Sequence, residues 1–365
     1  MVSPLKTPEG APVDLGLIEG FYGRPWTWEE RAETIGFLAR HGYGFYWYAP
    51  KADAFLRRRW REPWPAETAA AVKGLAARCA ANGVRFGVGL SPFEIYRAFD
   101  DAAKADLASK LAELDAVGVW DLAILFDDMR GDLPDLAASQ IEIVHWAAEH
   151  SHARRILFCP TYYSDDPVLD RAFGNRPEGY LEALGVGLDP AIEVFWTGEE
   201  VCSRAYGRAS LARVAEALRR PPVIWDNYPV NDGPVMGQSL HLRAVTGRPA
   251  AMASVTRAHA VNPASQTVLS RIPALSLARS YRLGEAYDYG AAFDSAALEV
   301  LGADLAAQLR ANLSQFQDTG LDRLGAETKA KLRERYAAFD HPGAREVVAW
   351  LDGAWQISRA EIEAS

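Results

Sequence analysis

Asp127 and Asp128 stand side by side after Leu122-Ala123-Ile124-Leu125-Phe126, a run apolar enough to be a buried strand. Two carboxylates at the mouth of a dry core suffer desolvation and mutual repulsion, an arrangement that points to use rather than architecture. Repulsion predicts that they titrate apart, one charged and the other holding its proton near neutral pH. A charged stabiliser beside a protonated acid suits cleavage of a glycosidic bond. Consecutive residues at a strand end diverge, so the pair is not expected to flank the scissile bond as separate nucleophile and acid. That favours attack by an acetamido oxygen of the sugar itself. Asp-Asp recurs at 100–101 and 165–166. The first precedes the helical run AAKADLASKL and reads as a cap, and the second precedes Pro167 and reads as a turn.

The elements that must hold the 127–128 pair follow an alternating order. Short apolar runs at 15–18, 44–48, 85–90, 122–126, 156–158, 192–195, 223–225 and 258–261 are separated by amphipathic stretches such as 29–40, 67–81, 104–117, 136–150 and 211–219. Eight strands with intervening helices predict a (β/α)8 TIM barrel over residues 1–288, its last crossing interrupted around Gly247-Arg248-Pro249. No GxGxxG follows the first strand to support an open doubly wound sheet. The runs end at Glu19-Gly20, Pro50-Lys51, Ser91, Asp127-Asp128, Thr161-Tyr162-Tyr163, Thr197, Asp226-Asn227 and Asn262. In a barrel all of these meet on the C-terminal rim, where catalytic groups sit. Residues 289–365 change character. Helical runs at 295–316, 326–339 and 344–363 predict a small C-terminal helical domain.

Bulk properties narrow the class further. The 365 residues carry a net charge of -9, which argues against a nucleic-acid surface. Three widely spaced cysteines, with no CxxC pair, predict free buried thiols in a reducing compartment. Without a signal-like start or an apolar stretch of membrane-spanning length, the chain reads as cytoplasmic, with no membrane partner. His150 and His152, at a helix end, read as solvated residues rather than metal ligands.

Longer motifs then occur in order: GLIEGFYGRPW (16–26), YAPK (48–51), LFDD (125–128), CPTYY (159–163), WTG (196–198), WDNYPVND (225–232) and NP (262–263). Together they closely resemble the O-GlcNAcase family, also called the hyaluronidase-like N-acetyl-β-glucosaminidases. The resemblance covers about residues 16–281 and implies a retaining exo-β-N-acetylglucosaminidase that needs no cofactor or metal and works through an oxazoline intermediate. It implies that Asp127 orients the acetamido N–H, while Asp128 protonates the leaving oxygen and later deprotonates water. It further implies that Tyr163 bonds the acetamido oxygen, that Trp225 and Asn227 line the acetyl pocket, and that Gly20, Lys51, Asp232 and Asn262 grip the hydroxyls.

The implied substrate is terminal β-linked N-acetylglucosamine on a glycoprotein or glycan, and a homodimer is compatible with the C-terminal helices. Other readings stay open: a catalytically silent glycan-binding protein on the same scaffold, or a hydrolase of hyaluronan-like or galacto-configured acetamido sugars. Lys51 has the alternative of a salt bridge to Asp53. Departures from the family pattern at Lys51-Ala52-Asp53, Leu56-Arg57 and Ser91-Pro92-Phe93 lie at the rim and bear on aglycone preference.

Overall fold

Continuous apolar runs bounded by polar residues form strands buried on both faces, as a parallel sheet covered by helices requires. In the computed structural model, which describes residues 2–127, 129–133 and 135–364, eight such strands close into a barrel. They are β1 (Leu15–Glu19), β2 (Tyr43–Tyr48), β3 (Arg85–Leu90), β4 (Asp121–Leu125), β5 (Arg155–Cys159), β6 (Glu193–Trp196), β7 (Val223–Asp226) and β8 (Ala258–Val261). Neighbours pair in parallel around the ring, and β8 closes it between β7 and β1. The fold is the (β/α)8 barrel that the strand order predicts. A short antiparallel hairpin, Leu5–Lys6 with Pro12–Val13, precedes it.

Helices wrap the outside: α1 (Trp28–Ala39), α2 (Ala66–Ala81), α3 (Asp101–Val117), α4 (Leu136–His150), the short α5 (Val168–Phe173) and α6 (Tyr180–Gly187), and α7 (Arg208–Leu218). Their starts follow local chemistry. Thr27 and Glu30 make a reciprocal capping box on α1, and Asp100 accepts the Ala103 N–H at the start of α3. Asp166 accepts the Val168 N–H at 2.9 Å and so closes the turn before α5. The β7–β8 crossing has one four-residue helix, α8 (Gly233–Met236), and otherwise runs as loop and 3-10 turn. This is the interruption marked by Gly247-Arg248-Pro249.

An aromatic ladder fills the barrel. Phe45 stacks on Trp47 at 4.0 Å, and Phe195 packs edge-on against both Trp47 and Trp225 at 5.4 Å. Gly87 makes room for it: a Cβ there would lie 2.3 Å from the Trp47 ring. At the N-terminal rim, Arg85, Arg155 and Arg257 pair with Asp14 and Glu193.

The helix that follows β8, α9 (Arg271–Leu283), packs beside α1 and completes the outer ring of the barrel. Beyond it come α10 (Tyr289–Leu301), α11 (Ala303–Ala311), α12 (Ala326–Ala337), α13 (Pro342–Leu351) and α14 (Arg359–Ala364). The single helix expected over 295–316 is broken at Gly302, whose φ of +75° suits glycine and ends α10. The run at 344–363 likewise divides into α13 and α14. Phe316, Tyr336 and Trp350 form the buried centre of this region, with rings 5.4 and 5.7 Å apart. No helix among the described residues is long and apolar enough to cross a membrane.

Candidate active site

The strands deliver their last residues to one rim, and there a cavity of about 240 Å³ opens. Gly20, Lys51, Asp127, Tyr163, Trp225, Asn227, Asp232 and Asn262 all line it. Every described residue of the predicted site is therefore brought together. Asp128 lies outside the described residues.

Lys51 and Asp127 form the charged centre. Lys51 leaves β2, Asp127 leaves β4, and the ammonium donates to Asp127 Oδ2 with both side chains almost fully buried. Paired charges withstand such burial far better than either would alone. The lysine does not pair with Asp53. That carboxylate instead accepts from Tyr48 Oη and Trp64 Nε1, each at 2.9 Å, and burial pushes its pKa upward. Lys51 is thus turned to Asp127 and the pocket.

Amide side chains link the other strands. Asn262, just past β8, accepts the Gly20 N–H at 3.2 Å through Oδ1 and donates to Asn227 Oδ1 at 2.9 Å. Asn227 Oδ1 also accepts from Trp225 Nε1 at 3.1 Å, while its Nδ2 donates to the Val201 carbonyl at 2.8 Å. The Oδ1 and the Nδ2 of Asn262 each retain capacity for one further bond, which is what a hydroxyl-binding group needs. Asp232 accepts the Tyr22 N–H at 2.7 Å and so ties the β1 and β7 exits together. Gly20 has a steric reason: a Cβ would lie 2.3 Å from Trp225 Cζ2 and displace the ring from the wall. Tyr163 is buried beside this wall, its carbonyl receiving the Thr197 N–H at 2.9 Å.

Asp226 does not line the cavity, although it ends β7. It is fully buried and bonded to Arg248 and His259. Their donors hold its carboxyl well below the usual range in spite of burial. Sequence reasoning assigned no role to Tyr22, Cys159, Thr197, Val201, Cys202, Val230 and Met236, which complete the lining. Tyr22, Cys159, Thr197 and Val230 sit inside the quoted motifs and could have been included. Val201, in the loop after β6, and Met236, at the end of α8, are apolar residues with no chemical signature. Cys202 is exposed at the rim rather than buried, unlike Cys79 and Cys159. Among the described residues no group of three or more His, Cys, Asp or Glu could hold a metal ion.

A closed parallel barrel with an ion pair, a tyrosine, a tryptophan and linked amides converging on its C-terminal mouth is a TIM-barrel enzyme site. The family model for beta-N-acetylglucosaminidase matches residues 15–317. Protein O-GlcNAcase of Rattus norvegicus and of Mus musculus are each 32% identical to this chain over 244 residues, which is 62% of this chain and 26% of theirs. The chain thus spans about a quarter of the length of these curated relatives. An O-GlcNAc hydrolase mutant of Thermobaculum terrenum superposes with a TM-score of 0.77 at 27% identity, covering 93% of this chain and 80% of that one. The chain belongs to the beta-N-acetylglucosaminidase family of glycoside hydrolases.

Proposed function

We propose that this chain is a retaining exo-β-N-acetylglucosaminidase in which the substrate's acetamido oxygen attacks its own anomeric carbon, giving an oxazoline. The reading is carried by the buried Lys51–Asp127 pair facing the same cavity as Tyr163, Trp225 and Asn227. Asp127 receives the acetamido N–H, which sharpens the nucleophilicity of the carbonyl oxygen and stabilises the charge of the cyclised ring. Tyr163 donates to that oxygen and steadies it over the anomeric carbon. The indole of Trp225 packs the acetyl methyl against an apolar wall. Asp128 protonates the departing oxygen and then takes a proton from the water that opens the ring.

Lys51, Asp232, Asn262 and the backbone at Gly20 bind the ring hydroxyls. A site whose buried polar groups are matched to hydroxyls rejects sugars that lack them. The cavity of about 240 Å³ suits one terminal sugar, which favours exo action. The substrate is terminal β-linked N-acetylglucosamine on a glycoprotein or glycan, handled in the cytoplasm.

Purified protein should hydrolyse 4-nitrophenyl β-N-acetylglucosaminide, and a thiazoline that mimics the oxazoline should compete for the site. Asp128→Asn should cost little with a 4-nitrophenyl leaving group and much with an alkyl one, since only the poor leaving group needs the proton. Absence of hydrolysis, or indifference to the thiazoline, would refute the reading.

A further inference from the structure

Arg248 lies in the β7–β8 crossing, away from the cavity lining proposed to hold the sugar, yet every N–H of its guanidinium is used. Nε and Nη2 donate to the two oxygens of Asp226 at 2.9 and 2.7 Å. Nη2 also donates to the Ser203 carbonyl at 2.8 Å, and Nη1 donates to the carbonyls of Arg204 and Thr246 at 2.6 and 2.8 Å. Five donors and five acceptors saturate the group. The rings of Tyr206 and Tyr228 lie 5.3 and 5.8 Å from it. Asp226 is held from a further side by His259 Nε2 at 3.0 Å, whose Nδ1 lies 2.7 Å from Tyr281 Oη.

The geometry of this fork has a consequence for the cavity. Ser203 and Arg204 directly follow Val201 and Cys202, which form part of the cavity wall. Asp226 lies between Trp225 and Asn227, which form the adjoining wall, and Asn227 Nδ2 reaches across to the Val201 carbonyl. The guanidinium therefore staples the loop between β6 and α7 to the end of β7 from behind. A buried, fully bonded guanidinium is stiff, because any movement leaves a donor unsatisfied.

We propose that Arg248, acting through Asp226 and the 203–204 carbonyls, is a positioning residue that sets the width of the acyl end of the cavity and thereby its selectivity for an N-acetyl over a longer N-acyl group. This rests on the reading that Trp225 and Asn227 border the acetamido group. It predicts that loosening the staple relaxes discrimination before it abolishes turnover.

The test is a series of 4-nitrophenyl β-glucosaminides bearing N-acetyl, N-propionyl and N-butanoyl groups, assayed with wild type, Arg248→Lys, Arg248→Met and His259→Gln. One methylene in a tight apolar pocket typically costs roughly tenfold or more, so wild type should lose kcat/KM steeply along the series. In Arg248→Met the propionyl-to-acetyl ratio of kcat/KM should rise by at least about threefold, chiefly through KM, and Arg248→Lys should restore part of the discrimination. His259→Gln, which loosens Asp226 without removing the guanidinium, should shift the ratio in the same direction and carries the test if the Arg248 variants do not fold. Arg155→Met at the opposite rim controls for general destabilisation and should leave the ratio unchanged. An unchanged ratio in the folded variants, with all substrates losing equally, overturns the inference. Failure of wild type to hydrolyse the N-acetyl substrate overturns the functional reading and the inference with it.

Discussion

Lys51 Nζ donates to Asp127 Oδ2 across the barrel mouth, joining residues 76 positions apart whose strands, β2 and β4, are not neighbours in the sheet. β3 lies between them and carries glycines at 87 and 89, on either side of Val88. A Cβ on Gly89 would lie 2.6 Å from Ala49 and 2.7 Å from Leu125, so the small residue lets the flanking strand ends approach.

Removing one partner of this pair leaves a buried charge without its counterion. Lys51→Met should therefore destabilise the fold by about 3 kcal/mol and lower kcat/KM on 4-nitrophenyl β-N-acetylglucosaminide by roughly a hundredfold. Thermal unfolding and steady-state kinetics on the same preparation check both. Unaltered stability would show that the pair is not the electrostatic unit described.

Gly20 tests the tryptophan wall by sterics alone. Gly20→Ala places a Cβ 2.3 Å from Trp225 Cζ2, and the ring must move. Overpacking of this kind costs about 1–3 kcal/mol. We expect KM to rise about tenfold with a smaller change in kcat, because the proposed site has this wall touch the sugar in ground and transition states alike. A kcat loss at constant KM would contradict that placement.

A pH dependence follows from Glu346 on α13. Its carboxylate accepts the Val268 and Leu269 N–H groups at 2.8 and 2.9 Å, anchoring the segment that follows Asn262. Burial nevertheless pushes its pKa up to about 7. Unfolded, the group deprotonates near 4.3, so between about 4.3 and 7 the folded state holds a proton that the unfolded state has lost. Its contribution is fully present below that window and falls as pH rises through it, by on the order of 3 kcal/mol. Glu346→Gln should flatten the Tm profile between pH 5 and 8 relative to wild type. Parallel profiles would contradict the assignment.

The barrel was legible because its strands are apolar throughout and end in polar residues, a pattern set by burial on both faces. The helices α5 and α6 were not, because six- and eight-residue segments between turns carry too little periodicity to separate from loop. Gly302 was a visible stop signal inside the run expected as one helix, but its left-handed backbone shows only in the fold. The candidate site was legible where a polar residue follows an apolar strand, as at Lys51, Asp127 and Asn262, which line one cavity. Val201 enters the cavity from the loop after β6 and Met236 from the end of α8, and neither position carries a signal in the sequence. Arg248 looked like part of an interruption because its five acceptors come from separate segments of the chain. The choice of Asp127 over Asp53 by Lys51 was open in the sequence for the same reason.

The central claim is that the sugar's own amide displaces the aglycone while Asp127 steers it. The stereochemistry of the first-formed product tests this most directly. Proton NMR during hydrolysis of 4-nitrophenyl β-N-acetylglucosaminide should show the β-anomer of free N-acetylglucosamine first, with the α-anomer growing only by mutarotation. Initial appearance of the α-anomer would mean direct attack by water and would contradict the account.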